Sequence, residues 1–211
     1  SQKSSTQDPN LWIEALDQLL IKMSQNFNLA RVTNVILDAT SSTVLLCDGA
    51  GNALSEALMY NDQQAIKQAQ LITQQSGFNP QSAATGASST LAKALLLIER
   101  FEQKLRLDLE PLLEESAIAD NNLSHAASTC YICHQIDYLN HYLSGVINIT
   151  DENNALKLGY DSINQAWPSW IKALLTQQTT PITLPEMALP NMALPKITLP
   201  SVVLPGVKLG L

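Results

Sequence analysis

The sequence predicts an α/β fold, in which helices pack on a mixed sheet, followed by an extended tail. Apolar residues recur at helical spacing after residue 8, β-branched runs flank an Asp-Gly turn, and prolines recur every fifth residue near the carboxyl end. The chain has 211 residues, of which 45% are hydrophobic and 15% are charged. This length and composition are typical of a globular domain with a sizeable core.

Charge and hydropathy exclude several classes of partner. The formal net charge is −7 and no cluster of Lys and Arg occurs, so we expect neither nucleic acid nor an anionic membrane surface as a partner. No apolar run approaches the roughly 20 residues that span a bilayer. The opening SQKSSTQDPN is polar, unlike a secretory signal, and the three cysteines are an odd number. We therefore expect a cytoplasmic protein with reduced thiols.

The first predicted element is a helix that begins near Asp8-Pro9. Asp is a preferred N-cap residue, and Pro is favoured at the first helical position. Beyond this start, apolar residues recur three or four apart and predict one apolar face. They are Leu11, Trp12, Ala15, Leu16, Leu19, Leu20 and Met23.

Three strands are predicted next. Residues 31–38 (RVTNVILD) and 42–48 (STVLLCD) are rich in β-branched and apolar side chains, and residues 53–60 (ALSEALMY) follow the turn DGAGN. An Asp-Gly between two such runs predicts a hairpin. The glycines of this turn could also cradle a phosphate, but no Lys-Ser/Thr follows them, so we favour the hairpin.

The remainder of the predicted globular part is helical. Serine residues at 88 and 89 offer an N-cap, and Gly145 is a typical residue just beyond a helix C-terminus. The predicted helices cover residues 62–75, 88–105, 128–145 and 166–177.

The stretch CYICHQ (130–135) has the C-x-x-C-H spacing of covalent haem attachment, and half of a zinc site. Haem would need an axial partner for His134. Zinc would need further ligands, and the sequence shows no second pair of Cys or His residues at zinc-site spacing. A helix over 128–145 would place Cys130 and Cys133 on one face, one turn apart. We therefore predict ordinary buried cysteines and no metal.

The tail carries five prolines at a strict period of five: Pro185, Pro190, Pro195, Pro200 and Pro205. Such spacing excludes a helix or a central strand, because each Pro lacks an N–H donor. We favour an extended segment whose apolar side chains pack on another surface. A short β-solenoid and a disordered tail are the alternatives.

The order of these segments resembles the N-terminal, sugar-binding domain of the FGGY carbohydrate kinases, above all the xylulokinase-like and ribulokinase-like members. Residues 35–62 are similar to the family's strand, substrate turn and hairpin, which ends in aromatic-Asn-Asp. The other similar segments are SSTLAKALLLIE (88–99), IDYLNHYLSG (136–145), DENNALKLGYD (151–161) and LPSVVLPGVKLG (199–210). The resemblance runs from about residue 8 to residue 209, with the proline repeats as an insertion.

This resemblance implies a partial ribonuclease H-like (actin-like ATPase) domain that lacks its first strands. Residues 1–180 would be part of the sugar-binding domain, and residues 181–211 a proline-repeat tail leading to the rest of a kinase. The family's Asp-x-Gly-Thr phosphate turn and its Gly-Thr-x-Asp turn, which holds the catalytic base, do not occur in the sequence. ATP and Mg²⁺ are therefore expected to bind outside this segment, which has no assigned catalytic, cofactor-binding or metal residue.

The resemblance also implies substrate-binding residues. Thr40 and Ser41 stand at the family's substrate turn, Tyr60 at an aromatic wall after the hairpin, and Asp62 directly after it. From the residues alone, Thr40 and Ser41 could instead satisfy a turn, and Asp62 could cap the next helix. Gln63-Gln64 replaces the Arg that the family has there.

The implied function is the sugar-domain portion of an ATP-dependent kinase of a ketopentose such as xylulose or ribulose, inactive alone. Its partners would be the sugar and the remaining kinase segments, and a homodimer is left open. The alternative is a non-catalytic sugar-binding or interaction module derived from a truncated kinase, since an apolar extended tail can add to a partner's surface.

Overall fold

A computed structural model describes residues 3–115, 130–178, 197–198 and 201–203. The α-helices within these residues are α1 (Asn10–Asn26), α2 (Ile66–Thr73), α3 (Thr90–Glu115), α4 (Gln135–Ser144), α5 (Glu152–Leu158) and α6 (Ser169–Gln178). The strands are β1 (Thr6–Gln7), β2 (Val44–Cys47), β3 (Ala57–Leu58), β4 (Cys130–His134), β5 (Ile149–Asp151), β6 (Ile197–Thr198) and β7 (Ser201–Val203). None of the helices in this part of the chain is long and apolar enough to cross a membrane.

The strands form a five-stranded sheet in the order β1-β3-β2-β4-β6 and a separate β5–β7 pair. Strand β2 runs antiparallel to β3 and β4, whereas β4 runs parallel to β6. The sheet is therefore mixed, and the predicted α/β class is confirmed.

Helices cover both faces of β2. Val44 and Leu46 belong to a large core that includes buried residues of α2, α3, α5 and α6. Leu45 and Cys47 point to the opposite face, into a smaller cluster with Tyr138 of α4. Burial on both faces explains why β2 is a continuous apolar run with no alternation.

The predicted hairpin is confirmed. Strands β2 and β3 pair antiparallel, with Val44 opposite Leu58. In the turn between them, the Asp48 carboxylate accepts hydrogen bonds from the backbone N–H groups of Ala50 (2.9 Å) and Asn52 (2.8 Å). The DGAGN turn is thus held by hydrogen bonds from its own backbone to the Asp48 side chain, a residue type typical of such turns.

The predicted strand at 31–38 is wrong. The chain forms a short 3-10 turn over Leu29–Arg31 and then runs without regular structure to residue 40, with Ile36 92% exposed. A strand needs a free edge to pair with, and β2 is already paired on both sides by β3 and β4. The β-branched composition of 31–38 therefore has no partner among the described strands.

The predicted helix over 128–145 is wrong in its first part. Residues 130–134 form β4, which pairs with β2 in the register Leu45 opposite Cys133. Because neighbouring side chains in a strand alternate, Cys130 and Cys133 point to opposite faces of the sheet and do not share a helical face. Helix α4 starts at Gln135, where His134 and Asp137 form a capping box. The predicted end of this helix at Gly145 is confirmed, and the Gly145 backbone has a left-handed conformation.

The first helix is confirmed, but its buried face is narrower than predicted. Trp12, Leu16, Leu20 and Met23 are half-buried, whereas Leu11 and Leu19 are exposed. Trp12 packs edge-on against Tyr138 of α4, with ring centroids 6.2 Å apart.

Two short pieces of the predicted tail are described. Strand β6 pairs with β4, and β7 pairs with β5, so both are extended edge strands. The five periodic prolines lie outside the described residues.

Candidate functional site

The predicted substrate turn lies directly before β2. The backbone N–H of Thr43 donates to the carbonyl of Thr40 (3.4 Å), and Ser42 has a φ of +70°. The first turns of three helices adjoin it: α3 through Thr90, α4 through Gln135 and α5 through Asn154. The turn is therefore held where these helices begin, at one end of β2.

Thr40 is exposed and its hydroxyl is held on two sides. Its Oγ1 lies 2.7 Å from the Thr43 hydroxyl and donates to Gln135 Oε1 at 2.7 Å. The same Gln135 oxygen accepts the backbone N–H of Thr40 at 3.0 Å. These bonds leave part of the Thr40 surface open to solvent.

Ser41 is half-buried beside Asn154. Its hydroxyl lies 3.4 Å from Asn154 Oδ1, a long hydrogen bond that a ligand hydroxyl could replace. Asn154 is itself oriented by Asp151, the N-cap residue of α5, which accepts from both its backbone N–H (3.0 Å) and its side-chain amide (2.6 Å).

Tyr60 lies next to the same turn. Its backbone N–H donates to the Thr43 hydroxyl (3.1 Å), and its side chain is 53% exposed. The Thr43 hydroxyl is therefore hydrogen-bonded to both Thr40 and Tyr60. Of the four predicted site residues, the structure thus brings together Thr40, Ser41 and Tyr60, each of which is exposed or half-buried.

Asp62 is placed differently, because it is fully buried. Its carboxylate accepts from the backbone N–H of Ser5 (2.7 Å) and from the backbone and side-chain N–H groups of Gln64 (3.0 and 2.7 Å). In this arrangement Asp62 fixes the segment after Tyr60 to the residues beside β1, and its oxygens are not open to solvent.

Lys93 is a buried cation under the turn. Its Nζ donates to the carbonyl of Ser42 and to that of Met59 (2.9 Å). Burial lowers the pKa of this ammonium from 10.5 to about 8; the negative charge of Asp62 opposes that shift and the positive charge of Lys157 adds to it. One side chain thus connects the turn before β2 with the backbone of Met59, the residue before Tyr60.

Sequence reasoning did not assign Thr43, Lys93, Gln135 or Asn154 to the site. Lys93 had a visible signal, because it is the one charged residue in the otherwise apolar run 91–98. Gln135 and Asn154 had none beyond their places near helix starts, since their contacts join parts of the chain 95 and 113 residues apart.

The C-x-x-C-H stretch forms β4 and ends one residue before Gln135, the residue that binds Thr40. All three cysteines are buried thiols outside any disulfide, and no metal-binding group of His, Cys, Asp and Glu occurs in the described part of the chain. The His134 ring is buried, with Nδ1 2.8 Å from Asp137 and 3.0 Å from the Thr150 hydroxyl. Its contacts serve the start of α4.

No known protein-family profile matches the sequence, but solved structures share its fold. A xylulose kinase from Brucella ovis superimposes with a TM-score of 0.62 at 18% identity, over 95% of this chain and 35% of its own. A gluconate kinase from Lactobacillus acidophilus gives 0.57 at 16% identity, over 92% and 34%. The glycerol kinase of Plasmodium falciparum gives 0.52 at 19% identity, over 93% and 36%.

These neighbours are FGGY-type carbohydrate kinases, so the predicted relationship is confirmed at the level of fold. The chain spans about a third of the length of each of the three neighbours.

Proposed function

We propose that this chain is the sugar-binding portion of an ATP-dependent carbohydrate kinase whose substrate is a ketopentose such as xylulose or ribulose. The observation that carries the proposal is the turn before β2, in which exposed Thr40 and half-buried Ser41 lie near exposed Tyr60, on a fold shared with solved sugar kinases. Sugar hydroxyls are both donors and acceptors, as are serine and threonine hydroxyls, so the two sets match chemically.

Each predicted residue has a role in this site. The hydroxyls of Thr40 and Ser41 bind sugar hydroxyls, and the Tyr60 ring covers an apolar face of the sugar. Asp62 belongs to the site as the residue that fixes the position of the Tyr60 segment, through its bonds to Ser5 and Gln64.

Phosphoryl transfer requires parts that this sequence does not contain. The nucleotide phosphates need donors and Mg²⁺, and the sugar hydroxyl needs a carboxylate base. In the proposed kinase these are supplied by other segments, in a cytoplasmic enzyme, and the described residues supply one wall of the sugar site.

Sugar binding by the 211-residue chain tests the proposal, and Ser41→Ala is the decisive variant. Xylulose and ribulose should bind weakly, and loss of one hydroxyl contact worth about 1 kcal/mol should weaken binding roughly five-fold. Ser76→Ala, an exposed serine remote in sequence from the turn, is the control and should bind like wild type. Ligand-observed NMR titration measures both, and unchanged affinity in Ser41→Ala contradicts the assignment.

A further inference from the structure

We propose that Lys93 and Asn154 are positioning residues that hold Ser42 in the left-handed backbone conformation and thereby aim the hydroxyls of Thr40 and Ser41. The part that concerns sugar rests on the proposed function, whereas the part that concerns Ser42 stands on the structure alone.

Ser42 has an unfavourable backbone conformation. At a φ of +70°, a side chain with a Cβ costs roughly 1–2 kcal/mol relative to the right-handed region. Such a residue persists only where its surroundings fix it more than once, and these positions cluster at ligand sites. Ser42 is also buried, so its polar groups need partners.

Every polar group of Ser42 has a partner. Its N–H donates to Asn154 Oδ1 (3.3 Å), and its carbonyl accepts from Lys93 Nζ. Its hydroxyl donates to the carbonyl of Ser88 (3.2 Å) and lies 3.0 Å from the Thr90 hydroxyl. These partners come from α5, from α3 and from the residues just before α3, so two helices fix one residue.

Lys93 lies at an unfavourable place for a cation. It is fully buried, and it is in the first turn of α3, where the helix dipole disfavours positive charge. What it gains there is a pair of hydrogen bonds to the carbonyls of Ser42 and Met59. Those carbonyls immediately follow Ser41 and precede Tyr60, so the ammonium sets the distance between the two proposed sugar contacts.

Asn154 acts on Ser42 as well, and on its neighbour Ser41. Its Oδ1 accepts from both the Ser42 N–H and the Ser41 hydroxyl. Because Asp151 accepts from the Asn154 side-chain amide at 2.6 Å, the orientation of that amide is fixed. The hydrogen bond to Asn154 therefore sets the orientation of the Ser41 hydroxyl.

The conformation of Ser42 is tested in the full chain by the three-bond HN–Hα coupling and the Cα chemical shift of this residue. Lys93→Met keeps a side chain of similar length and removes the ammonium that donates to the carbonyls of Ser42 and Met59. Asn154→Ala removes the oxygen that accepts from the Ser42 N–H. Both variants should shift Ser42 out of the left-handed region, whereas Lys104→Met, an exposed lysine of the same helix, should not. If Ser42 stays left-handed in either folded variant, the proposal is overturned. If circular dichroism shows that Lys93→Met does not fold, Asn154→Ala alone decides.

Sugar affinity supplies the second test, through Ser42→Gly. Glycine adopts a positive φ without steric strain, so the turn should no longer need the lysine. With Ser42 present, Lys93→Met should weaken ketopentose binding about ten-fold, as expected for the loss of two hydrogen bonds, and in the Ser42→Gly background less than about three-fold. Equal losses in both backgrounds overturn the positioning role. If the wild-type chain binds no ketopentose, the proposed function fails, and the Ser42 coupling still decides the conformational part.

Discussion

At the scale of single residues, the region around the turn depends on buried polar groups whose partners are distant in sequence. Asp62 is the clearest example, since it joins the Tyr60 segment to Ser5, 57 residues away. The sequence predicted Asp62 as a substrate contact or a helix cap. Its carboxylate accepts from Gln64, two residues away, and from the N–H of Ser5, a long-range contact that local patterns do not display.

Asp62→Ala should lower the free energy of unfolding by about 2 kcal/mol, because it leaves the Ser5 N–H without an acceptor. Asp108→Ala, at an exposed carboxylate of α3, should change stability by less than about 0.5 kcal/mol. Urea denaturation of the two variants measures the difference. Equal stability of both variants would show that the bonds made by Asp62 are unimportant.

Gly51 is the second residue whose replacement has a defined result. It has a φ of +83°, and an added Cβ would lie 1.8 Å from His141 Nε2, at the contact between the hairpin turn and α4. Gly86 has nearly the same φ, +84°, but open space at its Cβ position.

Gly51→Ala should therefore destabilise the protein more than Gly86→Ala, which carries only the backbone strain of roughly 1–2 kcal/mol. Thermal unfolding of the two variants checks this difference. Equal losses would mean that the His141 ring moves aside at no cost.

At the scale of elements, local signals predicted what local interactions fix. The hairpin, the capped helix α3 and the Gly145 helix end were visible, because turn and cap residues lie within a few positions of each other. Strands depend on partners elsewhere in the chain. The sequence therefore misassigned residues 130–134, which pair with β2 more than 80 residues away, and residues 31–38, which pair with no described strand.

Amide hydrogen exchange distinguishes the two segments. Val35 and Ile36 should exchange at close to the rate of an unstructured chain, since neither backbone N–H has an acceptor among the described residues. Leu45 and Leu46, which lie in the middle of the sheet, should be strongly protected. Strong protection at residues 35–36 would restore the strand that the sequence predicted.

Cys130 of strand β4 should affect the stability of the protein at alkaline pH. Burial, together with the negative charges of Asp48 and Cys47, raises the pKa of the Cys130 thiol from 9.0 to about 11. A thiol that keeps its proton longer in the folded state stabilises that state fully below pH 9. This contribution is lost as the pH rises through 11.

The fall in unfolding free energy between pH 9 and pH 11 should therefore be smaller in Cys130→Ala than in wild type. Denaturant titrations at several pH values measure it. Lys93, whose pKa is lowered, acts with the opposite sign and is common to both proteins. An unchanged slope would mean that Cys130 titrates normally in the folded state.

At the scale of the whole molecule, the fold explains where the site is. Helices cover both faces of the sheet. Helices α3, α4 and α5 all begin near the turn at residues 40–43, which leads into β2. Exposed Thr40 and half-buried Ser41 thus lie next to the starts of these helices. The resemblance to sugar kinases was predicted from the order of the sequence motifs, and solved sugar kinases share the fold at 15–19% identity.

The 211-residue chain should not phosphorylate a ketopentose, because its sequence contains neither the phosphate turn nor the Gly-Thr-x-Asp base. A coupled assay for ADP with xylulose or ribulose should equal the no-enzyme control. Sugar-dependent turnover above that control would require catalytic groups that we have not identified.

The most direct test of the central claim is a map of sugar binding on the assigned amide spectrum of the full chain. Titration with xylulose and ribulose should shift the amide signals of Thr40, Ser41 and Tyr60 together, with a common dissociation constant on the order of millimolar, as expected for one wall of a site. Ser76 and Lys104, which are exposed and remote in sequence from the turn, should not shift. Shifts confined to other residues, or none up to the highest sugar concentration, would contradict the assignment of this turn as a sugar-binding site.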